Sequence, residues 1–166
     1  MNRTVIAVAD ATRARLFIFE QQTAPPGEAS QMLHEEIDLV HPARRMRPSE
    51  LFSDSRPGSD RAPSGRGFGF NDHRDASLRH MDREFAADIA DELARLVRAH
   101  GCRDVILAAS PSMLGLLRKV ARPMVDAEVV VHEIDRDLVR LSKAELHDLL
   151  STRGLLPERE RITGRV

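Results

Sequence analysis

Between Arg56 and Arg74 the chain sets Arg61 and Arg66 among Gly65, Gly67 and Gly69 and the aromatics Phe68 and Phe70. Guanidinium forks grip phosphates bidentately, phenyl rings stack on unpaired bases, and glycines let a backbone come close, so this mixture suits RNA. The same residues also describe a solvated segment whose two phenylalanines tuck back onto a core. A second cluster is Asp10, Thr12 and Arg13 at the end of a β-rich run. A carboxylate there could hold a metal ion if partner carboxylates lay within a few ångströms, or could hydrogen-bond to its own turn. A third is Ser110-Pro111-Ser112, which opens a helix after an apolar run and has Arg118 two turns on. Free N–H groups and the helix dipole make such a start a candidate anion site, although ordinary capping by Ser110 explains the pattern without any ligand. The seven His are dispersed without an HxxxH or HExxH pair, and no G-x-S-x-G occurs. The sequence therefore predicts neither a metal centre nor a nucleophile elbow, and it calls for no cofactor.

These groups must be positioned by elements that the apolar spacing marks out. Residues 4–10 and 14–20 read as two β-strands joined by Ala11-Thr12-Arg13 into a hairpin. After Pro25-Pro26-Gly27 comes a third strand, in which Leu33, Ile37 and Leu39 are expected on one face and His34, Glu36 and Asp38 on the other. From Ser77 the spacing turns helical, with Leu78, Met81, Phe85, Ile89, Leu93 and Leu96/Val97 inward and Gly101 as the C-terminal cap. Val105 to Ala109 has the unbroken apolar character of a strand covered on both faces, hence central and parallel. A helix follows from Ser110 with Leu114, Leu117 and Val120 inward, then a strand over Val129 to Ile134. The last helix opens on a Ser142/Glu145 capping box, with Leu141 and Leu146 placed for a hydrophobic staple and Gly154 closing it. The tail from Leu155 to Val166 carries no periodicity. The order β-β-β-α-β-α-β-α implies an α/β fold with one mixed five-stranded sheet and helices packed on it.

The stretch 41–76 fits none of these elements. From His41 to Asp75 it holds seven Arg against five acids, with four Pro and four Gly, and is expected to be a long flexible loop before the first long helix. The rest of the composition is plain: 166 residues, 42% apolar, 31% charged and a net charge of -1, the arithmetic of one globular domain over 1–166. Near-neutrality argues against a surface that grips nucleic acid all over, but not against one local basic element. The chain has no Trp or Tyr and only Lys119 and Lys143 beside 23 Arg. The lone Cys102 cannot close an intrachain bridge and reads as a small buried hydrophobe in a reduced compartment. Apolar runs of about five residues are far short of a membrane span or a signal-peptide core, so a cytoplasmic protein without a membrane partner is expected.

Several short words, in this order and spacing, resemble the bacterial host attachment protein family. They are Val8-Ala9-Asp10-Ala11-Thr12-Arg13-Ala14-Arg15-Leu16-Phe17, Ser53-Asp54-Ser55-Arg56-Pro57-Gly58, Phe85-Ala86, Leu114-Gly115-Leu116-Leu117-Arg118, and Asp137-Leu138. That family is similar to the middle domain of archaeal and eukaryotic peptide-chain release factors. The resemblance implies a ribonuclease H-like sheet, a translational role, and the ribosome or tRNA as partner. In the release-factor domain the loop before the long helix carries Gly-Gly-Gln; here it reads Ser64-Gly65-Arg66-Gly67-Phe68-Gly69-Phe70-Asn71, without Gly-Gly or Gln. Asp10 stands where ribonuclease H-like nucleases keep an acidic ligand, but the fourth strand ends Ala108-Ala109-Ser110 with no partner carboxylate. The leading expectation is thus a non-enzymatic RNA- or ribosome-associated protein. The other readings are a hydrolase acting on peptidyl-tRNA or RNA, and a module that docks a protein partner.

Overall fold

The computed structural model describes residues 2–21, 31–45 and 69–159. Strands β1 (Arg3–Ala9), β2 (Arg13–Gln21) and β3 (Gln31–Val40) lead into a single helical turn, α1 (Pro42–Arg45). Then come α2 (Gly69–His100), β4 (Asp104–Ala109), α3 (Pro111–Ala121) with a 3-10 turn over Arg122–Met124, β5 (Val130–Asp135) and α4 (Lys143–Thr152). The strands form one sheet in the order β3-β2-β1-β4-β5. β1 runs antiparallel to β2 and β2 to β3, while β4 is parallel to both β1 and β5. This is the mixed five-stranded α/β sheet that the element order implies.

Central strands with apolar residues on both faces need a helical layer on each side. Val5, Ala7, Leu16, Ile18, Val105 and Leu107 pack under α2 and α3, against Phe85, Ile89, Leu93 and Leu117. On the opposite face Ile6, Val8, Phe17, Phe19 and Ile106 pack under α4, against Leu146 and Leu150, and Leu156 of the tail joins them. Gly101 closes α2 at φ 61° and Gly154 follows α4 at φ 70°, left-handed positions where a side chain would be strained. The capping box at Ser142 and Glu145 is complete. Cys102 is buried, and burial pushes its thiol up to about 11, so it behaves as a packing group rather than a nucleophile.

Two expectations need correction. Leu33, Ile37 and Leu39 do not share a face. Phe17 pairs with Glu35 and Leu16 with Ile37, so Glu36 is an extra residue that reverses the alternation. Leu33 therefore packs on the α4 side, while Ile37 and Leu39 lie on the α2 side. The long helix also begins at Gly69, not Ser77, so Phe70 and Arg74, expected in a loop, lie on helix. Residues 73–80 are all exposed, and Leu78, expected inward, keeps 41% of its surface. This first part of α2 has no sheet beneath it, so apolar spacing could not mark where it starts; propagation from the packed part extends it.

Candidate nucleic-acid interface

Register gathers the polar residues at one end of the sheet. Ala9 pairs with Ala109 and Ala109 with Asp135, so Asp10 and Ser110 follow side by side where the parallel strands end. Arg13 pairs with Val40, which brings His41 to the same end. Open α/β sheets bind ligands at this edge, beyond the carboxyl ends of the strands.

Asp10 is tied into its own turn. Its Oδ1 accepts from Thr12 N at 2.7 Å, Thr12 Oγ1 at 2.7 Å and Arg13 N at 2.8 Å, and Asp10 N donates to Arg13 O. Three donors on one oxygen make this carboxylate a turn-former. Among the described residues no group of three or more His, Cys, Asp and Glu is placed to hold a metal ion.

Arg13 and Arg15 lie on the α4 face and reach across to β3. Arg13 donates from Nε to Asp38 Oδ1 at 2.8 Å, and Arg15 grips Glu35 through Nε and Nη2 at 2.8 Å each. Its remaining Nη1 donates to the carbonyls of Val139 and Leu141, fastening the loop between β5 and α4 to β2. The hydrogen bond from Arg15 holds the Glu35 carboxyl below its ordinary value, and that from Arg13 does the same for Asp38. Groups with depressed folded-state values stabilise fully above their ordinary carboxylate values and lose that contribution as pH falls through the depressed ones. Stability is therefore expected to fall on acidification below about pH 4. In Arg15→Ala, acid titration followed by circular dichroism should show a shallower fall over that window, because Glu35 then titrates alike in both states.

At the start of α3, Ser110 occupies the N-cap position and Pro111 the first helical one, but the Ser110 side chain makes no capping bond. Arg118 is committed elsewhere: its Nε donates to Glu133 Oε1 and Oε2 at 3.0 and 2.9 Å, drawing the Glu133 carboxyl down. An anion at Ser110 and Ser112 would have to compete with Glu133 for Arg118. The Asp137-Leu138 pair has a local role, since Asp137 Oδ1 accepts from Val139 N at 3.0 Å while Leu138 is buried.

Arg56, Arg61, Arg66, Gly67 and Phe68 lie outside the described residues. They precede α2 in the chain. At its C-terminal end the His100 carbonyl accepts from Arg3 at the start of β1. At the opposite end of the sheet Asp82 meets His41, and from residue 73 on Phe85 is the first buried residue. From Asp82 back to Gly69 the helix continues about 20 Å beyond that contact, as an arm on which Arg74 is exposed.

Sequence reasoning passed over His41, Asp82 and Arg15. His41 is 2% exposed; its backbone N–H donates to Thr12 O, its Nε2 lies 2.9 Å from Asp82 Oδ1, and its Nδ1 accepts from Ala43 N at 3.0 Å. The Phe85 ring meets it edge-on at 5.0 Å. The available signal was positional: Arg15 sits at an inward strand position between Ala14 and Leu16, and His41 directly follows a strand.

The family described as "Protein required for attachment to host cells" matches residues 5–150, and the chain belongs to that family. No curated protein matches it significantly. Among solved structures it is similar to the type II variant of the Aquifex aeolicus Ppx/GppA phosphatase, at 14% identity and a TM-score of 0.40, over 81% of this chain and 36% of that one. It is also similar to RuvC of Thermus thermophilus, at 13% identity and a TM-score of 0.42, over 96% of this chain and 85% of that one. The chain thus spans little more than a third of the phosphatase. Among the described residues no helix is long and apolar enough to cross a membrane.

Proposed function

We propose that this member of the host attachment family is a non-catalytic, cytoplasmic RNA-binding protein. On this reading Arg56, Arg61, Arg66, Gly67, Phe68, Phe70 and Arg74 engage an unpaired segment of ribosomal or transfer RNA from the free end of α2, in the manner of the release-factor middle domain it resembles. The observation that carries the reading is the arm itself: α2 runs on beyond the sheet with residues 73–80 all exposed, and the Arg/Gly/Phe segment joins it at Gly69. Propagation from the packed part extends the helix outward, and Phe70 and Arg74 lie on that extension next to the segment. Asp10 supports a binding rather than a nuclease role, since its Oδ1 is occupied by three donors of its own turn.

The test is mobility shift of labelled tRNA and rRNA fragments with wild type and with Arg61→Ala/Arg66→Ala/Phe68→Ala. Losing one stacked base is worth about 1–3 kcal/mol, so at least about fivefold weaker binding is expected from Phe68 alone. Losing two phosphate contacts should flatten the slope of log affinity against log salt by about 1.4. Equal, negligible binding by both proteins would remove the RNA reading.

A further inference from the structure

We infer that His41, held as its Nε2–H tautomer, is a positioning residue that pins the α2 arm to the sheet through Asp82; its consequence for RNA rests on the function proposed above. A backbone N–H can only donate, so the Ala43 N–H at 3.0 Å requires a bare Nδ1, and the ring proton must sit on Nε2, where it is donated to Asp82 Oδ1 at 2.9 Å. The ring cannot swivel to release either partner, because it is almost fully buried and rests against Phe85. Its own backbone N–H is fixed on Thr12 O in the turn that Asp10 organises. One residue thus joins three elements, its backbone holding the β1–β2 turn and its ring linking the first turn of α1 to α2 one turn before Phe85.

The location gives the contact its leverage. C-terminal to Phe85 the helix is held by packing along the sheet; N-terminal to Asp82 residues 73–80 are all exposed. Arg79 bonds to the carbonyl of Asp75 and His80 pairs with Glu84, all within the arm. The His41–Asp82 bond holds α2 one turn before Phe85, with about 20 Å of helix beyond it, and a small change of angle there moves the tip furthest.

Backbone amide exchange over residues 73–84 tests the pin without reference to RNA. Asp82→Ala removes the acceptor from a half-buried position. His41→Asn keeps an oxygen for Ala43 N–H but does not reach Asp82, whereas His41→Gln can still donate to Asp82. Exchange across 73–84 is expected to rise about tenfold in Asp82→Ala and His41→Asn, as for loss of one hydrogen bond to a carboxylate. Amides of β1 and β4 should be unchanged and His41→Gln should stay close to wild type. Nitrogen chemical shifts of the ring should show a protonated Nε2 and a bare Nδ1. Ala is a better helix former than Asp, so propensity alone predicts slower exchange in Asp82→Ala. Wild-type or slower exchange in that variant would overturn the inference, and it decides even if His41→Asn does not fold. RNA affinity is a separate readout: a loosened arm with no RNA binding in the wild type would contradict the proposed function and leave the pin standing.

Discussion

Phe85→Ala is expected to lower the unfolding free energy by about 3–5 kcal/mol, the largest single effect among the changes considered. The ring is 1% exposed and belongs to the cluster that includes Val5, Leu16, Ile18 and Ile89, so truncation removes buried apolar surface and leaves a cavity. The cavity opens beside His41, whose ring lies 5.0 Å from that of Phe85, so the His41 bonds to Asp82 and Ala43 lose their wall. Because the chain has no Trp or Tyr, urea unfolding is best followed by far-ultraviolet circular dichroism. Leu78→Ala is the matched control. Leu78 falls in the same sequence pattern, but is 41% exposed on the arm, and its truncation should change stability by less than about 0.5 kcal/mol. Similar losses in the two variants would mean that α2 is packed along its whole length.

Arg15→Ala is expected to cost about 2–3 kcal/mol. The side chain is 12% exposed, bonds Glu35 twice, donates to the Val139 and Leu141 carbonyls at 2.9 and 2.7 Å, and lies 4.9 Å from the centre of the Phe17 ring. Removing it leaves the Glu35 carboxylate and two loop carbonyls without their donor at once. Its position explains why one residue matters: Arg15 fastens the loop before α4 to β2, next to the buried Leu138 and Val139. Arg15→Lys keeps the charge but not the fork, and a single ammonium cannot serve Glu35 and both carbonyls, so about half of the loss should remain. The same unfolding measurement checks both variants, with full recovery by lysine as the adverse result.

How far the sequence carried this fold depended on whether the determining contact was local. The hairpin, the buried parallel strand at Val105 to Ala109, the Ser142/Glu145 capping box and the glycines after α2 and α4 were all legible, because each is set by a few neighbouring residues. The side of Leu33 was not, since the extra Glu36 becomes visible only in the pairing with β2. The start of α2 escaped because an exposed helix has no apolar stripe to announce it, and Leu78 extended the stripe past the end of the core. At the site, the bonding of Asp10 to its own turn was one of the two roles that its position offered. The commitment of Arg118 to Glu133, the Arg15 fork and the His41–Asp82 bond all join residues far apart in the chain, where no short motif reaches.

The central claim is that the tip of α2 and the segment before it contact RNA. Ultraviolet crosslinking in the protein's own cells, followed by mapping of the crosslinked peptides, tests it most directly. The account predicts RNA adducts confined to residues 56–80, lost in Arg61→Ala/Arg66→Ala/Phe68→Ala. No RNA adduct at all, or adducts on the opposite end of the sheet near Arg3 and His100, would contradict it.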